Sequence, residues 1–230
     1  MRARQLLIVA IFVALIVAFY AFGLRNYLTL ESLRDHRTTL QAFVTAHVFG
    51  ASLAFMLVYV VVVALSIPGA AILTLAGGLL FGTFGGAALS ATGATAGASV
   101  LFVAARSAFG DALRRRAGPF LARMAGGFEQ NAFNYLLVLR LIPAFPFWAV
   151  NLGAALLRMR FASFVAATAL GIIPAGLAYS AFGAGVGRIF DSGGAVSLSA
   201  ILSPPLVAGL IGLAVLALVP VVAPRLRKKS

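Results

Sequence analysis

Apolar runs broken by short polar punctuation organise this chain. A first run, Leu6 to Leu24, follows Arg2 and Arg4 in MRARQLLIVAIFVALIVAFYAFGLR. It outlasts the apolar core of a secretory signal and ends in AFYAFG, with no small-x-small cleavage site, so it predicts a retained first transmembrane helix. In the polar stretch that follows, Leu30, Leu33, Leu40 and Phe43 fall roughly on one helical face, with Glu31, Arg34, Asp35 and Arg37 elsewhere and Thr29 or Ser32 as a cap. That pattern predicts an amphipathic helix on the membrane surface. Apolar sequence resumes at Val48 and runs uncharged to Ala105, interrupted by SIPGA at 66–70 and GGLLFGTFGG at 77–86. An arginine-rich segment from Arg106 comes next, with Asp111 as a helix cap, then RLIPAFPFWAVNLG at 140–153 and the pair Arg158 and Arg160. An apolar tract Phe161 to Val186, a short loop with Arg188 and Asp191, and a last helix Ser199 to Val222 ending in APRLRKKS complete the pattern.

Composition turns this pattern into a membrane assignment. The 230 residues are 62% hydrophobic and only 10% charged, where a soluble domain carries about a quarter charged residues. Tracts able to cross about 30 Å of hydrocarbon recur along the chain. The expectation is an all-α polytopic membrane protein with one membrane domain. The net charge of +13 does not point to nucleic acid, because the basic residues sit in clusters between apolar tracts and no soluble domain remains to read a groove. With no cysteine, and with His36 and His47 lacking a third ligand nearby, no metal site and no cofactor are expected.

Charge placement selects the topology. If every apolar tract crossed the bilayer, the arginines of 106–123 would face outward, against the positive-inside tendency. If 48–82 is a hairpin turning at Pro68 and Gly69, and 131–157 a second turning at Pro143 and Pro146, then thirteen of the 18 basic residues lie inside. Four lie outside, and Arg140 sits within a hairpin. The predicted organisation is an amino-terminal helix and interfacial helix over 1–47, a membrane domain over 48–190, and a helix with a basic tail over 191–230. Within the membrane domain come hairpin 48–82, helix 85–105, a basic cytoplasmic loop 106–130, hairpin 131–157 and helix 161–186. The hairpins look like a repeat: Pro68 precedes Gly78 by ten residues, as Pro143 precedes Gly153. Small-residue faces follow each, through Gly82, Gly86, Ser90, Gly93 and Gly97 and through Gly176, Ser180 and Ala184, with Gly183 and Gly187 beside the latter. Such faces let backbones approach closely. One hairpin dips from outside and the other from inside, so the repeat is inverted, and inverted repeats with broken helices at mid-membrane characterise transporters.

The candidate chemistry sits at 140–153. Irregular backbone at membrane depth persists only when buried in protein or lining a wet cavity, and an arginine there costs about 2.5–3.5 kcal/mol on insertion scales. A guanidinium grips phosphate or carboxylate with paired hydrogen bonds, and Asn151 adds donors and an acceptor. Arg140 and Asn151, with Pro143 and Pro146, are therefore candidates for an anionic site, the alternative being that Arg140 ties down carbonyls freed by the prolines. Glu129 lies eleven residues before Arg140, about 16 Å along a helix. It is either a surface partner of Arg123 or a proton-coupling site. Arg114, Arg115 and Arg116 suit contact with anionic headgroups.

At these residues the chain resembles the VTT domain of the DedA superfamily, nearest to SNARE-associated Golgi proteins and their bacterial relatives. RLIPAFPFWAVN, MRFASFVAATALGIIPAGLAYSAFGA with Gly171 and Pro174, and SIPGAAILTLAGGLLFG with Gly77 and Gly78 carry the likeness, over about 48–190. The resemblance implies two facing re-entrant hairpins and movement of lipids across the bilayer, by scrambling or by recycling a phosphorylated carrier lipid. Arg140 matches the family's arginine at the second hairpin. The chain departs from the DedA branch at Ala70, where that branch has glutamate, and at Pro146, where it has a second arginine. Both departures lean toward the scramblase-like branch.

The expectation is thus a translocase or scramblase of anionic lipids in a bacterial cytoplasmic membrane, termini inside. Its partners are membrane lipids, with a homo-oligomer left open. A secondary transporter of a small anionic or metal-linked solute, proton-coupled through Glu129, is the rival. No catalytic constellation is expected, since the membrane tracts hold no serine–histidine pair and no paired acids. A purely structural protein would not need Arg140 in the bilayer.

Overall fold

The structure is a computed structural model that describes residues 3–21, 23, 29–108, 118–141 and 145–191. Every element among them is helical: α1 (Ala3–Ala21), α2 (Leu30–Asp35), α3 (Arg37–Ala46), α4 (Val48–Ala64), α5 (Ala70–Ala108), α6 (Gly118–Leu141), α7 (Phe147–Leu156) and α8 (Phe161–Asp191). Two stretches are long and apolar enough to cross a membrane, Ala70–Ser107 and Phe161–Gly187. The amphipathic segment is two helices rather than one. Thr29 caps α2 by accepting from the Ser32 amide at 3.1 Å, and the chain breaks at His36 before α3. Leu40 and Phe43 are exposed, as an apolar face turned to lipid would be.

Glycine at 82 breaks α5. Its backbone, at φ 73° and ψ 174°, lies in a region that only glycine enters readily. The chain reverses there: Gly77 and Gly86 pack backbone to backbone, although nine residues would separate them by about 13.5 Å along a straight helix. Residues 70–81 also run antiparallel to α4. Phe55 meets Phe81, with ring centroids 5.4 Å apart, and the Tyr59 hydroxyl reaches the Ala70 carbonyl at 3.2 Å and Thr74 Oγ1 at 2.8 Å. The turn between these antiparallel arms occupies 65–69, with Ser66 at φ 57° and Gly69 at φ 135°. Ile67 donates to the Val62 carbonyl and Ser66 to that of Val63, a Schellman cap.

The second half repeats this order of elements. Asn131 interrupts α6, and its Oδ1 accepts from the Asn134 amide at 3.2 Å, so a fresh helix runs 132–141. After Pro146, the N-cap, α7 follows, and it ends in another Schellman cap: Met159 donates to the Ala154 carbonyl and Arg158, at φ 57°, to that of Ala155. From Phe161, α8 continues through Pro174 without a break.

The later part of α5, 83–108, and α8 lie antiparallel. Phe102 packs on Phe164 at 4.4 Å between centroids near one end, and Ala87 faces Gly176 further along. Against the first arm of α5, α8 comes closer still: a Cβ on Gly78 would strike the Ser180 backbone, and one on Gly183 the Leu75 carbonyl. Gly93 and Gly97 similarly admit Tyr59, Val60 and Val63 of α4. Gly82, counted on sequence among the packing glycines, has nothing near its missing Cβ; it is a breaker. Gly171 and Pro174, grouped with the hairpins on sequence, lie inside α8.

Candidate functional site

Buried polar side chains gather where α6, α7 and α8 meet. Arg140, one residue before the end of α6, is 8% exposed; Asn151 on α7 and Thr168 on α8 are fully buried. Arg140 Nη2 donates to Asn151 Oδ1 at 2.5 Å and to Thr168 Oγ1 at 3.0 Å. The guanidinium lies 4.1 Å above the Phe147 ring centroid and 5.7 Å from that of Phe164. These faces stabilise a buried cation by about 0.5–2 kcal/mol each, short of the charge they would have to offset. Gly171 makes the approach possible, since a Cβ there would stand 2.5 Å from Arg140 Cβ.

What the arginine lacks defines the site. A guanidinium has five N–H donors, and Nε and Nη1 have no partner; neither does Asn151 Nδ2. Among the described residues no carboxylate approaches it, and none of them forms a metal-ligating cluster. Each such donor, left unsatisfied, costs roughly 1–3 kcal/mol. A buried positive charge with unpartnered donors is complementary to an oxyanion.

Phe147 is also a wall. It borders a chamber of about 240 Å³ between the two halves, lined in part by Tyr59, Thr74, Ser90 and Tyr179 and not by Arg140. Beside it, between 83–108 and α8, runs an open apolar groove of about 750 Å³ bordered by Phe84, Thr95, Phe161 and Leu177. Ala91 borders both.

The profile of the VTT domain matches residues 67–185, just over half of the chain, a span that includes Arg140, Asn151 and Thr168. The chain belongs to the VTT-domain family. This is the family of DedA and SNARE-associated Golgi proteins, and it places the chain in a membrane. No curated protein and no solved structure matches the chain.

Of the residues singled out on sequence, the VTT domain brings Arg140 and Asn151 into direct contact. Pro146 caps α7 from an exposed position, and Gly153 is buried within it. Pro68 and Gly69 form the α4–α5 turn, and Gly77 and Gly78 provide close contacts. Pro143 and Arg114, Arg115 and Arg116 lie outside the described residues, as do the side chain of Glu129 and the helix expected at 199–222. Sequence reasoning missed Thr168, the one threonine of an apolar tract, and Phe147 and Phe164, which read there as ordinary core. It also placed Arg37 on the polar face of the interfacial helix, among the outside charges. Arg37 is buried, and its Nη2 donates to the Gly187 carbonyl at 2.7 Å, tying α3 to the end of α8.

Proposed function

We propose that this VTT-domain protein is a lipid translocase of the scramblase type for phosphate-bearing lipids. In this reading α4 with the first arm of α5, and 132–141 with α7, are re-entrant hairpins. They enter from opposite faces as an inverted repeat. The antiparallel run of 83–108 and α8 supports that relation, because each long helix follows its own hairpin. Arg106 donates to the Met159 carbonyl at 3.2 Å, which gathers Arg106, Arg158 and Arg160 at one end of the bundle. Arg37 sits at the other end of α8. The positive-inside tendency makes the first end cytoplasmic in a bacterial inner membrane, with both termini on that side.

The observation that carries the proposal is the Arg140 guanidinium, buried with two nitrogens and the Asn151 amide unpartnered. A phosphate oxygen pair would satisfy them. The groove adjoining the chamber favours a lipid over a free ion, since it would hold acyl chain while the headgroup moves inward. No bond is made or broken in this action; the work is desolvation and passage of a charged headgroup. The test is dithionite quenching of fluorescent phosphatidate in proteoliposomes, comparing wild type, Arg140→Ala and empty vesicles. Loss of inner-leaflet protection with wild type, abolished by Arg140→Ala, supports the reading. Equal rates for wild type and empty vesicles reject it and favour a small-anion carrier on the same frame.

A further inference from the structure

We infer that the site at Arg140 takes phosphate as a monoanion. Phosphodiester lipids then cross throughout the physiological pH range, and phosphomonoester lipids such as phosphatidate cross only while they keep their second proton. The inference rests on the reading of Arg140 as a phosphate site and adds the charge state that the site admits.

The charge count is the first observation. Arg140 is the only charged residue in the apolar tracts 48–105, 131–157 and 161–187. It is buried, and its described neighbours Asn151, Thr168, Phe147, Phe164 and Gly171 are all neutral. The other buried charge, Arg37, bonds to Gly187, about 28 Å further along α8 than Thr168. In the other direction Arg160 stands about 12 Å from the level of Thr168 along the helix axis and is exposed. No second cation shares the site.

The donors point the same way. Arg140 Nη2 commits its two hydrogens to Asn151 and Thr168. That leaves Nε, Nη1 and Asn151 Nδ2 as donors without acceptors. They call for a ligand rich in acceptor oxygens, and the single guanidinium calls for one negative charge. A phosphodiester meets both demands and leaves a neutral pair. A phosphomonoester above its second pKa, near 6, carries up to two charges. The second would stay uncompensated among apolar side chains, where an unpaired charge is most costly. Such a lipid enters after taking up a proton from water.

The lipid, not the protein, is then what titrates. Neither an acid nor a histidine occurs in α4, in 70–105, in 131–157 or in α8 before Arg188. The remaining ionisable groups of these segments are the phenols Tyr59, Tyr135 and Tyr179 and the guanidinium groups of Arg140 and, at the end of α5, Arg106. Phenols and guanidinium groups do not ordinarily change charge between pH 6 and 8. Glu129 precedes the break in α6 at Asn131, and a diester control separates its titration from that of the lipid.

The test uses the full chain in proteoliposomes with short-chain fluorescent phosphatidate and its methyl ester, phosphatidylmethanol. The two differ by one methyl group and by the second ionisation. Albumin extraction reads the exposed leaflet from pH 6 to 8, with the rate in empty vesicles subtracted at each pH. The phosphatidylmethanol rate is expected to stay level. The phosphatidate rate should follow the monoanion fraction, which falls about fiftyfold between pH 6 and 8 for a second pKa near 6. Phosphorus NMR of the lipid in the same vesicles measures that fraction. Phe147→Lys, which sets a second cation beside the first, should flatten the phosphatidate profile; should it not fold, the wild-type comparison decides alone. A phosphatidate rate as high at pH 8 as at pH 6, a profile shared by both lipids, or a folded Phe147→Lys with the wild-type profile would overturn the charge rule while leaving translocation standing. No flipping of either lipid would overturn translocation itself. Uptake of labelled glycerol 3-phosphate without flipping would move the same chemistry onto a soluble ester and overturn the assignment to lipid.

Discussion

Replacing Gly183 by alanine tests the packing that brings the two halves together. A Cβ built there overlaps the Leu75 carbonyl oxygen and lies 2.8 Å from the carbonyl carbon and 3.0 Å from Cα. All three are backbone atoms of the first arm of α5, so no side chain can swing aside. Ordinary carbon contacts begin near 3.5 Å, so α8 must move off by roughly 1 Å or more. That motion stretches the 3.4 Å bond from Ser180 Oγ to the Thr74 carbonyl and loosens the Gly78–Ser180 contact. Overpacking of this kind costs about 1–3 kcal/mol, or a Tm lowered by about 2–12 °C at this chain length. Gly185, two residues on in the same helix, has nothing within 4 Å of its Cβ position. There the same substitution should gain up to about 1 kcal/mol of helix propensity. Thermal unfolding followed by circular dichroism in one detergent compares the pair directly. If Gly183→Ala melts at or above Gly185→Ala, the close backbone contact does not hold the halves together.

Asn151→Asp places a carboxylate where Asn151 Oδ1 now accepts from Arg140. The resulting ion pair should raise Tm and abolish phosphatidate flipping; retained flipping in a stabilised variant would count against anion binding at Arg140. Gly82→Ala should cost about 1–3 kcal/mol although its surroundings are open, because the penalty lies in the backbone conformation at φ 73°. A Tm equal to wild type would show that the chain does not need that break. Tyr59→Phe removes the hydroxyl that links α4 to Thr74 and Ala70 and should lower stability by about 1 kcal/mol, measured by the same melt. An unchanged Tm would mean that this link contributes nothing to holding α4 against α5.

How much could be read in advance depended on the range of the interaction. Hydropathy and the prolines and glycines suffice for helix and break, because they act along the chain. Pro68–Gly69 and Pro146 therefore mark breaks that a reader can see. Arg140 and Asn151 were both legible as candidates, being polar groups in an apolar tract, but their direct hydrogen bond to each other was not. Thr168 was not, since its contact depends on how α8 docks. Nor was Arg37, whose partner is a backbone carbonyl 150 residues away. Glycine spacing misassigned Gly82 for a related reason: a four-residue step is shared by a packing stripe and by a breaker that begins the same helix. Ser90 looked like one more small residue, and only the absence of a partner for its buried Oγ sets it apart.

The central claim is that a lipid phosphate reaches Arg140 from the groove. Photo-crosslinking tests it most directly, with a phosphatidate carrying a diazirine at the glycerol end of one acyl chain and the adducts mapped by peptide mass spectrometry. Adducts on Phe147, Ala91 and Tyr179, lost in Arg140→Ala while labelling of exposed Phe49 and Leu53 persists, are the predicted result. Labelling confined to those outer residues and indifferent to Arg140 would contradict the account.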